Sequence, residues 1–330
     1  MRAVHWIVLA AAVLWGGYWF VGARATEQAV GQWFAAQTGD GLTARHSGLK
    51  VRGFPNRFDL TITEPRLTKP AVGLGWSAPF VQIFSMTWKP WHLIAALPQE
   101  QTLTLPDQSL AISSTQMQGS LILIPGLDLT LDRITSVADG LAIASNAGWQ
   151  VSATSARLAT RRAPDNSLSH EIGAELTTLT PDAAFRIALQ PLSDLPEQID
   201  RMRLDAVIRL SAPIDRHLGN TQPSPQEIIV KEALILWGDL VVSGKGTIAP
   251  ASDGLAEGRI EIRVQNWRQL VPVLVAANLI TPQVTDTVTR AMELLAEQDG
   301  SPETLDVPLV FRQGRMSLGP IPLGPAPRLN

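Results

Sequence analysis

From about residue 42 to residue 265 the chain alternates apolar and polar side chains with a period of two, which restricts it to strands with one wet face and one dry face. In 57–63, Phe58, Leu60 and Ile62 share one side, and Arg57, Asp59, Thr61 and Thr63 share the other. Leu127, Leu129 and Leu131 alternate in the same way with Asp128, Thr130 and Asp132. Met202, Leu204, Ala206, Ile208 and Leu210 oppose Arg201, Arg203, Asp205 and Arg209, and Ile260, Ile262 and Val264 oppose Arg259, Glu261 and Arg263. Turn residues separate the runs, as at Pro125-Gly126, Asp139-Gly140 and Ser252-Asp253-Gly254, and 213–225 reads as a long surface loop. Gly53-Phe54-Pro55 interrupts one run. A proline lacking a donor beside a permissive glycine suits a bulge or an edge, so the spacing predicts a bend within one strand, not a hairpin.

Helical periodicity returns late. Asn266 is placed to cap a helix over 267–279, with Leu270, Val271, Leu274 and Val275 as its stripe. Thr281-Pro282 opens a second helix to about Glu297, striped by Val284, Val288, Met292 and Leu295. A hairpin of 306–312 and 315–318 follows, and the tail from Gly319 to Pro327 is too proline-rich for regular structure. The fold class is thus mainly β with two late amphipathic helices. Roughly 30 helical residues cannot cover about 200 residues of strand, since neighbouring strands lie about 4.8 Å apart. The dry face must meet a second sheet or a ligand, so periodicity leaves a closed sandwich and an open, curled trough both standing.

Residues 3–23 form an apolar run whose only ionisable side chain is His5. As a helix it reaches roughly 30 Å, the thickness of a bilayer's hydrocarbon core. Trp15, Tyr18 and Trp19 crowd its far end in the manner of an interfacial belt. The run is long for a signal sequence, so 1–25 is read as an anchor with the N-terminus in the cytoplasm. The alternative is a signal peptide cleaved at Ala23-Arg24-Ala25. A short juxtamembrane helix over 26–41 follows, carrying Ala29, Val30, Trp33 and Phe34 on one side and stopping at Gly39-Asp40-Gly41. The remainder, 42–330, is one exported β-rich domain with a helical plug at 266–298.

Composition narrows the chemistry. Hydrophobic residues make up 45% and charged residues 17%, which permits a packed core, and a net charge of −3 without a basic stripe argues against a nucleic-acid partner. There is no cysteine, hence no disulfide, thiolate chemistry or cysteine-based zinc site. The histidines at 5, 46, 92, 170 and 217 form no metal-ligand pair. Ser47-Gly48-Leu49-Lys50 fits a Ser-x-x-Lys pattern, but it falls in a predicted strand without the companion motifs. Gly244 to Ala249 fits G-x-G-x-x-A, but Pro250 follows and no helix opens. Glu171 and Glu175 look like solvated strand residues. The expectation is a non-enzyme with no catalytic residue, metal or cofactor.

Four segments carry a resemblance: GFPNRFDL (53–60), WKPWHLIAALP (88–98), the stretch from Trp237 to Trp267 that begins WGDLVVSGKGTIAP, and PLVFRQGRMSLGPIPLG (308–324). Together they resemble a family of Gram-negative envelope proteins known only as a domain of unknown function and grouped with the AsmA-like proteins. The resemblance implies an inner-membrane helix and a curled, mostly antiparallel sheet in the periplasm. It also implies an apolar trough for phospholipid or another apolar envelope component, and it tilts the choice from sandwich to trough. Some 300 exported residues are too few for a bridge across a periplasm, so a carrier or accessory role is implied. The alternatives are an interaction module for envelope-assembly proteins and, more weakly, a periplasmic hydrolase. As a trough, Phe58, Leu60, Ile62, Leu129, Leu131, Leu204, Ile208, Ile260 and Ile262 are expected to line one apolar surface. An aspartate at Leu60 would then be tolerated.

Overall fold

A single helix, α1 (Arg2–Ala36), takes up both the apolar run and the segment expected to be a separate juxtamembrane helix. No breaker lies between them, so the backbone carries the helix through Arg24 and Ala25 without interruption. The structure, a computed structural model, describes residues 2–37, 41–218, 222–298, 301–319 and 321–329. The expected stop at Gly39-Asp40 lies outside them, as does 219–221 of the expected surface loop.

The chain divides into two compact units: Met1–Pro125 with Ser136–Gly148, and Gly126–Thr135 with Trp149–Asn330. All strand pairings of the described residues are antiparallel, and the sheet is open, not closed on itself. The mainly-β expectation therefore holds.

The first unit holds β1 (Thr43–Arg45), β2 (Gly48–Arg52), β3 (Arg57–Thr63), β4 (Arg66–Lys69), β5 (Leu74–Ser77), β6 (Phe80–Met86), β7 (Lys89–Leu97), β8 (Glu100–Thr104), β9 (Ser109–Ser113) and β10 (Gln116–Leu123). It also holds the latter part of β11 (Leu131–Ser145). These short strands are halves of longer ones. One set pairs β2–β3–β6–β7–β10 and the other β1–β4–β5–β8–β9–β11, so each chain run breaks at the same level. The breaks fall at His46-Ser47, Glu64-Pro65, Ala78-Pro79, Pro98-Gln99 and Ser114-Thr115, and bonds between neighbouring breaks link them. Glu64 N–H donates to Pro79 O at 2.8 Å, Ala78 N–H to Pro65 O at 3.2 Å and Ser114 N–H to Gln99 O at 2.9 Å. At three of the breaks a proline, Pro65, Pro79 or Pro98, supplies no ladder donor, so the pleat ends there and restarts in the opposite phase. Ile62 and Pro65, an odd number of residues apart, are consequently buried on one side.

The bend predicted at Gly53-Phe54-Pro55 is a correction. Leu49 pairs with Ile62 and Val51 with Leu60, so 53–56 is the turn of a β2–β3 hairpin, with a cis Phe54-Pro55 bond. Gly53 takes φ +100°, and a Cβ there would lie 2.8 Å from Arg57 O, so the turn itself requires the glycine.

The second unit is a meander of β12 (Gln150–Ala163), β13 (Asn166–Thr180), β14 (Ile199–Leu210), β15 (Pro225–Trp237), β16 (Leu240–Pro250), β17 (Ala256–Gln265), β18 (Thr304–Arg312), β19 (Arg315–Leu318) and β20 (Ile321–Pro325). Three α-helices join it: α2 (Ala183–Leu189), α3 (Leu270–Ala276) and α4 (Thr285–Gln298). Register keeps one face apolar across the unit. Leu204 sits opposite Ala174 and Ala233, Ala233 opposite Gly244, Gly244 opposite Ile262, and Ile262 opposite Val307. An extra residue near Lys231 resets the phase of β15, so Val230 and Ala233 both face inward. The other face carries ion pairs, among them Arg161–Glu171, Lys231–Glu171 at 3.3 Å and the two-pronged Arg263–Asp306 pair at 2.6 Å and 2.7 Å.

Four further expectations change here. Leu129 lies outside any strand, at φ +49°, and β11 starts only at Leu131. α2 appears where no helix was expected, capped by Asp182, whose carboxylate accepts from Ala184 N–H at 2.8 Å. Asn266 does not cap: it takes a left-handed backbone, and its amide donates to Asp239 O at 2.7 Å. The proline-rich tail pairs, Leu318 with Ile321, as an edge strand in which missing donors cost little.

His170, on the inward face between Arg162 and Ile208, is buried, and its Nδ1 has no hydrogen-bond partner among the described residues. Burial, reinforced by the Arg162 charge and opposed by Asp132, holds its pKa below 6.5. The unfolded chain therefore binds more protons than the fold between the folded value and about 6.5, and stability falls as pH drops through that window. Denaturation midpoints measured from pH 7 to pH 5 should decline, and His170→Gln should flatten the decline. An unchanged slope in that variant would assign the pH dependence to other groups.

Candidate functional site

The dry face of β3 is covered by α1. Phe58, Leu60 and Ile62 form one buried cluster with Val51, Ala44 and the helix residues Trp19, Ala23 and Phe34. The approach is close because the helix presents a glycine: a Cβ on Gly22 would lie 2.6 Å from the Phe58 ring. Three helix donors reach backbone acceptors on the sheet. Trp15 Nε1 donates to Pro55 O at 3.0 Å, Tyr18 Oη to Thr87 O at 2.8 Å, and Trp19 Nε1 to Arg57 O at 2.7 Å. Glu27 accepts from Val51 N–H at 2.7 Å. Burial of each large apolar side chain contributes about 1.5–3 kcal/mol, so this seam is a core in its own right.

Between Ala29 and Phe34 the helix and the creased sheet enclose a cleft of about 480 Å³. Ala29, Val30, Trp33 and Phe34 form its helix wall. Leu60, Ile62, Pro65 and Leu67 come from β3, β4 and the break between them, Trp76, Val81 and Ile83 from β5 and β6, and Leu97 from the end of β7. The lining thus draws on both halves of the broken strands, and the crease is what makes the surface concave. No ionisable side chain is among these residues. Trp76 donates its indole N–H to Gln101 Oε1 at 3.1 Å, which leaves its hydrocarbon surface to the cleft. Volume and lining suit an apolar ligand, within the roughly 300–1,000 Å³ of small-molecule sites.

Of the nine residues expected to line a trough, Leu60 and Ile62 do line this cleft, while Phe58 is spent on Gly22 and Trp19. Leu60 is 4% exposed beneath α1, so an aspartate there would be a buried charge, contrary to the tolerance expected of it. In the second unit Leu204, Ile208, Ile260 and Ile262 share the apolar face by register. Ile262 packs against the helix-covered cluster around Trp237, Leu240, Trp267 and Leu305. Ile260 packs against Phe311, Ala256 and the tail residue Ala326, and Leu204 stays partly exposed. Leu131 is buried at the start of β11, and Leu129 is exposed before it.

The helix wall was legible as the stripe 29, 30, 33, 34, but nothing marked it as a site. The alternation of Trp76, Val81 and Ile83 was hidden by the phase change at Ala78-Pro79. Of the two glycines of the motif, Gly246 is structural: a Cβ there would lie 2.2 Å from Arg259 O, so it serves strand approach. Among the described residues no cluster of His, Asp and Glu is arranged to hold a metal ion.

The chain belongs to the bacterial family described as "Uncharacterized protein conserved in bacteria (DUF2125)", whose profile matches residues 19–327. The match takes in α1 from Trp19 onward. No curated protein matches.

Phe34 is buried at the seam whereas Trp33 is 45% exposed at the lip of the cleft. Phe34→Ala should cost about 3–5 kcal/mol in denaturation of the detergent-solubilised protein followed by far-ultraviolet dichroism. Trp33→Ala should stay within about 1 kcal/mol. Equal losses would mean that the helix end is not held as described.

Proposed function

We propose that this is a membrane-anchored envelope protein that takes the acyl portion of a lipid, or a similarly apolar envelope component, into the cleft beneath α1. The observation that carries the reading is the cleft itself, an apolar concavity of about 480 Å³ walled on one side by the continuation of a helix long and apolar enough to cross a membrane. Such a helix brings the cleft to the one place where acyl chains are abundant. A lining without nucleophile, acid or base favours binding over catalysis.

The retained anchor is favoured over a cleaved signal because Trp15, Tyr18, Trp19 and Gly22 all serve the fold of the first unit. Cleavage after Ala25 would strip the cover from Phe58 and Leu60. Single-pass topology, with the N-terminus in the cytoplasm and the β-rich part in the periplasm, follows from this reading and from the likeness to AsmA-like proteins. The same likeness, together with the modest size, suits a short carrier or an accessory to a longer lipid path. A role as an interaction module for envelope-assembly proteins is the second reading. It draws on Leu158 and Leu204, exposed on the inward face of the second unit.

Native mass spectrometry of the protein extracted from membranes tests the first reading. The expected spectrum shows residues 1–25 retained and a lipid adduct on the wild type. Ala29 is exposed on the helix wall, so Ala29→Trp fills the cleft without disturbing the seam, and that variant should lose the adduct. An adduct equally abundant in Ala29→Trp would remove the cleft as its site, and an N-terminus at Thr26 would remove the anchor.

A further inference from the structure

The hydrogen bonds that join α1 to the first unit also fix the height of two turns along the helix. The turn at 53–56, between β2 and β3, is held through Pro55 O and Arg57 O by Trp15 and Trp19. The turn at 87–88, between β6 and β7, is held through Thr87 O by Tyr18. Phe54 lies edge-on to Trp19 with centroids 5.4 Å apart and against Phe20 at 5.7 Å. Both turns are thus pinned at residues 15–20, inside the apolar run that ends at Ala23.

The arithmetic of the helix decides what that means. At 1.5 Å per residue, residues 3–14 alone span about 18 Å, far short of a hydrocarbon core of about 30 Å, whereas residues 3–23 span about 32 Å. A bilayer crossed by this helix therefore reaches the level of the turns. The turns carry the side chains such a depth requires. Phe54 and Trp88 are each 56% exposed, and Met86, beside Trp88, is also exposed. Just behind them Arg52 and Lys89 are exposed on the flanking strands, and Arg24 on the helix. Apolar tips backed by cations are the pattern of an element that lies in an anionic membrane interface.

We propose that the turns at 53–56 and 87–88 are membrane-dipping tips. Phe54, Met86 and Trp88 enter the interface of the leaflet from which α1 emerges, and Arg52, Lys89 and Arg24 meet its phosphates. This rests on the anchoring reading above and not on the cleft holding a lipid. It gives the cleft a fixed height, because Ala29 to Phe34 then lie roughly 9–17 Å along the helix beyond Ala23.

The absence of cysteine makes the test clean. Single variants Phe54→Cys, Trp88→Cys and Asp107→Cys of the full chain are labelled with a polarity-sensitive fluorophore. Asp107 is exposed in the turn between β8 and β9. Each protein is reconstituted into vesicles of phosphatidylethanolamine and phosphatidylglycerol. Labels at 54 and 88 should shift to shorter wavelength and be quenched by brominated acyl chains, not by iodide, with the reverse at 107. Among the described residues no aromatic ring pair joins Trp88 to the helix, so its variant reports even where Phe54→Cys disturbs the seam. Quenching of both tip labels by iodide alone, in protein that resists alkaline extraction, overturns the proposal and leaves the anchor standing. Release of the protein by alkaline extraction overturns both.

Discussion

Phe58 lies over Gly22 and stacks on Trp19 at 6.3 Å, and this contact brings α1 down onto the dry face of β3. Everything else in the first unit follows from it. A half-wet strand cannot leave Phe58, Leu60 and Ile62 in water, and within the first unit the residues packed on them come from α1 and the neighbouring strands. The helix is the cover, and over Phe58 its close approach uses the missing side chain of Gly22. Further along, the sheet creases, and a cleft lies between the helix residues Ala29 to Phe34 and the sheet residues from Leu60 to Leu97.

The second unit solves the same problem differently. Part of its inward face is covered by helices around Trp237, Trp267 and Leu305 and by the C-terminal tail around Phe311 and Ala326. Both tryptophans bury their rings and hand their indole N–H groups to backbone carbonyls, Trp237 to Pro196 at 2.7 Å and Trp267 to Pro302 at 3.1 Å. The ion pairs of the outer face are exposed and each worth little, about 0–1 kcal/mol, so they mark the wet side more than they stabilise it.

Much of this was legible in the chain. Alternation marked strands, the late stripes marked α3 and α4, and Gln313-Gly314 marked the last hairpin. What failed shares a cause: local rules were read without their partners. Gly53-Phe54-Pro55 satisfies the chemistry of a bulge and of a turn equally, and only the Leu49–Ile62 pairing decides. Asn266 is a sound cap by type, yet Asp239 O competes for its amide and wins. The crease escaped because a phase change at a proline looks like the end of a strand. Only the bonds between Glu64 and Pro79 and between Ser114 and Gln99 show the breaks to be one line. The cleft was half visible: Leu60 and Ile62 stood among the expected lining residues, but a wall formed by the anchor's own continuation has no signature in either segment alone.

The aromatic cluster at the far end of the apolar run shows how one physical requirement yields two readings. Tryptophan and tyrosine at such a position need an apolar surround for the ring and an acceptor for the polar edge, which is why they gather at membrane interfaces. Here the acceptors are carbonyls of the two turns. The bargain is mutual, because irregular backbone near hydrocarbon is tolerated only if its polar groups find partners in the protein. Pro55 O, Arg57 O and Thr87 O are the acceptors a turn would otherwise offer to water, and each receives a donor from α1. Asn56 O, beside them, accepts from both the backbone N–H and the hydroxyl of Thr87, at 3.1 Å and 3.2 Å. A turn satisfied in this way can sit at a depth where an ordinary loop could not, so the bonds that fix the tips against the helix are also those that suit them to lipid.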